Sequence, residues 1–144
     1  LINNIHSSFM ASGDKFVATP IAHVFELYAA HQGKTAVRTE FSSPRLGPAA
    51  AKGMAALAGS ASIQDKRGVL TVTNSHHADT VEAAVSVRGT RISNVRATVL
   101  KTGTLGAHNS FENPKAVQMA EAPFGGSGET IVYPFAPASV TRLE

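Results

Sequence analysis

The chain contains no cysteine, no tryptophan and only two tyrosines among its 144 residues. The first absence excludes disulfides, thiolate nucleophiles and thiolate metal ligands, and it fits a reducing compartment. Charge is also sparse. Thirteen Lys and Arg stand against ten Asp and Glu, a formal net charge of +3. The basic residues are scattered, with Lys66-Arg67 the only doublet, so the electrostatic footprint of a nucleic-acid face is missing. No apolar run approaches the roughly 18 residues that a membrane helix needs, and no Asn-x-Ser/Thr glycosylation acceptor occurs. What remains, 43% hydrophobic and 16% charged residues, is the composition of an ordinary folded domain. A chain of this length can bury roughly 70% of its unfolded surface in a single domain.

Catalytic groups are equally thin. Two carboxylates that divide acid–base and nucleophilic work must stand ~5–9 Å apart across the scissile bond, and nothing in the sequence places any two of the ten acids that way. Asp14 and Asp65 fall in turns, Glu26 on the solvent side of a helix, and Glu40, Glu82 and Glu129 at polar-face positions of strands. Six histidines invite a metal reading. His76 and His77 are adjacent, so in an extended chain they would point to opposite faces; His23 and His31 lie too far apart along a helix to share one ion. No strained nucleophile turn and no phosphate loop is present. No catalytic, metal-binding or cofactor-binding residue is therefore assigned, and no cofactor is expected.

What the sequence does hold is concentrated in residues 19–33, TPIAHVFELYAAHQG. Thr19 can cap the first turn through its hydroxyl, and Pro20 suits the first helical position, where no N–H is needed. Ile21, Val24, Phe25 and Tyr28 repeat at helical spacing as one apolar stripe, and Gly33 can take the left-handed conformation that ends a helix. The stripe predicts a helix that docks on something larger. Before it, Ile2, Ile5 and Phe9 also fall at helical spacing and Gly13-Asp14-Lys15 supplies a stop. Residues 1–12 thus read as the end of a helix that begins upstream, and the chain as a fragment.

Beyond Gly33 the period changes to alternation. Residues 35–41, 57–64, 68–74, 80–87, 94–101, 129–135 and 139–143 read as strands, with a turn at Asp65-Lys66-Arg67-Gly68 and loops over 42–53 and 102–127. In the fourth of these, Val81, Ala83, Val85 and Val87 share one face. Strands so spaced, without helices between them, predict a mainly β fold, an antiparallel sandwich or barrel. The loop Gly106-Ala107-His108-Asn109-Ser110-Phe111-Glu112-Asn113-Pro114 is the second dense patch. Its Asn, His and Glu side chains can satisfy backbone groups in a tight loop, and Phe111 can anchor it among apolar neighbours. A contact with substrate or with a neighbouring domain is the functional alternative.

Together, Thr19-Pro20-x-x-His23-Val24-Phe25-Glu26-x-Tyr28-x-x-His31-Gln32 and, at a distance, Ala107-His108-Asn109-Ser110-Phe111-Glu112-Asn113-Pro114 resemble the C-terminal portion of the α-L-arabinofuranosidases of glycoside hydrolase family 51. The resemblance runs from Leu1 to Val140-x-Arg142-Leu143. It departs at Ala22, where an aromatic is frequent, at Ser110, where Thr is usual, and over residues 42–53. These differences touch packing rather than chemistry.

The resemblance implies a catalytic (β/α)8 barrel followed by a jelly-roll-like β-sandwich. It also implies retaining hydrolysis of terminal non-reducing α-L-arabinofuranosyl residues in arabinose-containing polysaccharides. The two catalytic glutamates would lie upstream, and none maps onto this chain. Residues 1–33 would comprise the remnant of the last barrel helix and the helix leading to the sandwich, and residues 34–144 the C-terminal β-sandwich domain. The implied partners are the barrel of the same protein, through it the polysaccharide, and further copies in a homo-oligomer, with no nucleic acid and no membrane; the implied location is cytoplasmic. The family's sandwich takes strand material from before the barrel, so an incompletely covered sheet edge is expected here. The alternative is a stand-alone carbohydrate-binding module. Such modules grip sugars with exposed aromatic platforms, whereas Tyr28 falls on the helix stripe and Tyr133 within a predicted strand.

Overall fold

The computed structural model describes residues 7–47 and 53–144. Along the chain the elements are β1 (Phe9–Ser12), β2 (Lys15–Ala18), α1 (Pro20–Ala29), β3 (Thr35–Val37), β4 (Arg45–Leu46), β5 (Met54–Ala55), β6 (Leu57–Gln64), β7 (Arg67–Asn74), β8 (Val81–Ser86), β9 (Ala97–Lys101), β10 (Met119–Ala122), β11 (Thr130–Phe135) and β12 (Ser139–Leu143). All their pairings are antiparallel. Six strands form the main sheet in the order β10-β9-β12-β7-β6-β3, and β8 pairs with β11 in a second sheet. The hairpin β1-β2 and the ribbon β4-β5 stand apart from both. This is the mainly β, antiparallel sandwich that the alternation predicts.

Strand alternation gives the main sheet two working faces. One presents Leu57, Val72, Ala97 and Leu143 to Tyr133 and Phe135 of β11, and these six residues form the larger core. Tyr133 lies edge-on to Phe124 with ring centroids 5.0 Å apart, and 4.9 Å from Phe135. The other face presents Leu100 to Leu27 of α1 and to Val117, a smaller core flanked by Val24, Met119 and Val140. The molecule is therefore layered helix, sheet, sheet. The second sheet is narrow. Among the described residues β8 and β11 have no strand neighbour but each other, and the inward Val81, Ala83 and Val85 of β8 are only partly buried.

Close backbone approach fixes the β6-β7 hairpin. A Cβ on Gly59 would lie 2.1 Å from the Thr71 carbonyl oxygen, so only glycine fits there. Gln64 pairs with Arg67, which leaves Asp65-Lys66 as the loop, with Asp65 at φ 54°.

Several expectations are corrected. Residues 9–12, read as part of a helix, form strand β1. Gly13, at φ 60°, makes a hairpin turn with Asp14 rather than stopping a helix, because Ser12 pairs with Lys15 and the Phe9 and Phe16 rings stack at 5.1 Å. Residues 1–6 of that expected helix lie outside the described residues. The strand expected over 35–41 ends at Val37, beyond which Arg38 and Glu40 pair at 2.6 Å. The expected loop over 42–53 carries β4, which pairs with β5; residues 48–52 of it lie outside the described residues. The expected loop over 102–127 contains strand β10, which completes the hydrogen bonding of β9.

Candidate docking face

Helix α1 forms where the sequence places it, but it is seated differently from the predicted stripe. Leu27 is wholly buried against Leu100 and Val117, whereas Phe25 is 67% exposed. The stripe as read from spacing is thus rotated, because the main sheet meets the helix along Val24 and Leu27. Thr19 has the extended backbone of a capping residue, yet its hydroxyl caps nothing in the helix. It donates backward to the carbonyls of Ser7 at 2.8 Å and Ser8 at 3.2 Å, tying the helix start to the residues just before β1. Gly33 takes φ 72° after the last turn, as expected of a helix terminator. Outward from this framework stand Phe25 and, on the hairpin, Phe16 at 63% exposure. A shallow cleft of about 400 Å³ lies beside the hairpin, lined by Phe16, His23, Glu26, Lys115, Gln118 and Met119 among others.

The loop over 106–114 is held by Asn109, which is 2% exposed. Its amide donates to the carbonyls of Ala18 at 2.9 Å and Val117 at 3.0 Å, and its carbonyl accepts from the Val117 N–H at 2.7 Å. One side chain thus satisfies both backbone groups of Val117 and fastens the loop to the end of β2. The structural reading of this motif holds. The anchor differs from the expected one: Phe111 is only partly buried, and Val117, 1% exposed, fills the apolar site. His108 is exposed and bonds locally to Gly106. The Glu112 carboxylate is held below its usual range by a backbone hydrogen bond, with Ser110 and Lys15 adding to the effect.

His31 is the other connection between helix and sheet. Its Nδ1 lies 2.7 Å from Ser62 Oγ on β6, and its Nε2 lies 2.9 Å from Thr71 Oγ1 on β7. Burial, then Lys34, then Arg142 push its titration below the ordinary range. Nothing in the sequence marked these hydroxyls as its partners; they lie 31 and 40 residues away.

The remaining candidates do not assemble a reaction centre. The rings of His76 and His77 stack with centroids 5.4 Å apart and planes 5° off parallel. They do not face opposite ways, because the chain bends after β7 and strand alternation no longer applies. His76 Nδ1 accepts from the Asp79 N–H at 2.8 Å, and its Nε2 lies 3.3 Å from the Asp79 carboxylate. Glu40 and Glu129 are exposed and stand beside Arg38 and Arg91. Among the described residues, no three His, Asp or Glu side chains converge as metal ligands, and no helix is long and apolar enough to cross a membrane. What the surface offers is a seam at α1 and the hairpin, aromatic on the outside and firmly bonded beneath.

Comparison with known proteins addresses what that seam serves. Residues 1–139 match the family profile described as the α-L-arabinofuranosidase C-terminal domain. A comparison with curated proteins gave no match. Among solved structures, the chain superposes on the GH51 arabinofuranosidase from Xanthomonas axonopodis pv. citri with a TM-score of 0.90 at 24% identity, covering 99% of this chain and 29% of that one. For the α-L-arabinofuranosidase from Thermotoga maritima, solved as an arabinose complex, the TM-score is 0.82 at 21% identity, covering 99% and 32%. For a family 51 α-L-arabinofuranosidase from Bifidobacterium longum it is 0.78 at 19%, covering 99% and 28%. The chain thus spans under a third of the length of these relatives, and at such low identity the superposition shows a shared fold. With the profile matched over nearly its whole length, the chain belongs to the α-L-arabinofuranosidase C-terminal domain family.

Proposed function

We propose that this chain is the accessory β-sandwich of a retaining α-L-arabinofuranosidase, packed against a catalytic barrel that carries both glutamates. The enzyme cleaves terminal non-reducing α-L-arabinofuranosyl residues from arabinose-containing polysaccharides. In this reading residues 1–33 form the junction with the barrel and residues 34–144 the sandwich domain. The observation that carries the reading is the family match over residues 1–139. Homo-oligomeric assembly and a cytoplasmic location come with the family resemblance. Gel filtration and cell fractionation test them.

The two tyrosines give the carbohydrate-binding alternative no open platform. Tyr133 is 5% exposed within the larger core, and burial pushes its phenol above the ordinary range. Tyr28 is partly buried with its ring 5.7 Å from that of His31. Neither offers an open platform. The test has two arms. The purified 144-residue chain is expected to release no nitrophenol from a nitrophenyl α-L-arabinofuranoside, and measurable turnover would overturn the accessory role. Calorimetry against arabinan and arabinoxylan is expected to show no binding heat, and appreciable heat would restore the module.

A further inference from the structure

The helix and sheet layers are fastened at one titratable point. We propose that His31 is a proton-operated latch: neutral, it binds the turn that follows α1 to the main sheet, and protonated, it lets that turn lift away. A neutral imidazole has one N–H donor and one bare acceptor nitrogen. Set between Ser62 and Thr71, it donates to one hydroxyl and accepts from the other, and either tautomer completes the pair. An imidazolium has two donors and no acceptor. The hydroxyl that had donated to the ring must then turn its hydrogen elsewhere. Ser62 is 4% exposed and Thr71 fully buried, and among the described residues neither side chain has another hydrogen-bond partner. Protonation thus leaves both buried hydroxyl hydrogens without a partner where the neutral ring leaves one, a further unpaired donor of the kind folded proteins rarely tolerate.

The charges around the ring act in the same direction. Lys34 approaches from the turn that follows α1, and Arg142 from β12, with its Nε 3.6 Å from a Glu144 carboxylate oxygen. Tyr28 contributes only its neutral ring, and β6 and β7 contribute the two hydroxyls. Burial is the largest cause of the lowered titration, followed by Lys34 and Arg142. Below the ordinary value of 6.5, the released form therefore binds a proton more readily than the latched form. The fastening is complete above that pH and is lost as pH falls through the lowered value. Within the turn, the His31 N–H bonds to the Tyr28 carbonyl, the Gln32 N–H to Ala29 and the Lys34 N–H to His31, and none of these bonds reaches the main sheet.

Hydrogen exchange read by mass spectrometry over residues 28–34 tests the latch, after correction for the intrinsic pH dependence of exchange. Protection there is expected to fall severalfold between about pH 7.5 and pH 5, as the ring is protonated and its acceptor is lost. Peptides from β11 serve as the internal control and stay unchanged. His31→Gln keeps one donor and one acceptor but cannot titrate, so its protection over 28–34 is expected to be flat with pH. The ring itself, followed by NMR in the unaltered chain, is expected to titrate below 6.5. A ring midpoint at or above that value, or a pH response over 28–34 no larger than that of β11, would overturn the proposal whether or not the variant folds.

Discussion

Replacing Asn109 should cost more than any exposed polar residue of this chain. The Asn109→Ala substitution removes two donors and one acceptor from a site that is 2% exposed. The Val117 N–H then loses its 2.7 Å partner, and the carbonyls of Ala18 and Val117 lose theirs at 2.9 and 3.0 Å. A buried polar group left unpaired costs ~1–3 kcal/mol. The N–H has a single bonding direction and suffers most, while the Ala18 carbonyl is near enough to the surface to find water. A total of about 3 kcal/mol follows from one full penalty and two partial ones. For a domain of this size that corresponds to a melting temperature lower by roughly 6–12 °C, read by circular dichroism. Asn109→Asp separates hydrogen bonding from packing. It keeps the acceptor for Val117 but sets a carboxylate oxygen against two carbonyls, so at neutral pH it should cost at least as much as alanine. Part of the loss should return in acid, where a protonated carboxyl can donate to one of them. An alanine variant that melts within about 2 °C of the parent, less than one orphaned group predicts, would refute the reasoning.

Two further substitutions distinguish the seat of α1 from the stripe that spacing suggests. Leu27→Ala should lower stability by about 3 kcal/mol through the cavity it opens, whereas Phe25→Ala should change it by less than about 0.5 kcal/mol; chemical denaturation measures both, and equal costs would count against the observed rotation. Gly59→Ala should prevent the native β6-β7 pairing, since its Cβ would meet the Thr71 carbonyl at 2.1 Å; soluble expression with native-like exchange protection of β7 would contradict this.

How much of this was legible in the sequence follows from which interactions are local. Strands β6, β7, β11 and β12 were readable because each is long enough for alternation to register, and both Gly33 and the Asp65 turn announced themselves by residue type. Strand β10 was not readable. Met119-Ala120-Glu121-Ala122 has little strand preference, and it is extended because the edge of β9 needs a partner. The hairpin β1-β2 was misread for a related reason. Ile2, Ile5 and Phe9 fit a helical repeat, but the chain at Phe9 answers to Phe16, reached only once Gly13 has turned it back. The role of Asn109 within its loop could be anticipated, since Asn commonly bonds nearby backbone. Its reach to Ala18, 91 residues away, could not. Nor could the pairing of His31 with Ser62 and Thr71, because a hydroxyl carries no sequence signal of its own.

The place of β12 bears on how the chain acquires its fold. The main sheet is completed from its middle: β12 is the last strand in sequence, yet it lies between β9 and β7 and hydrogen-bonds to both. Until it has been synthesised, β9 with β10 and β7 with β6 are separate hairpin-like pieces, each with a bare apolar edge. Folding on the ribosome must therefore wait for residues 139–143 and then close contacts distant in sequence, a topology that folds slowly and leaves strand edges open to other chains meanwhile. Loss of those five residues would divide the sheet in two rather than trim its margin.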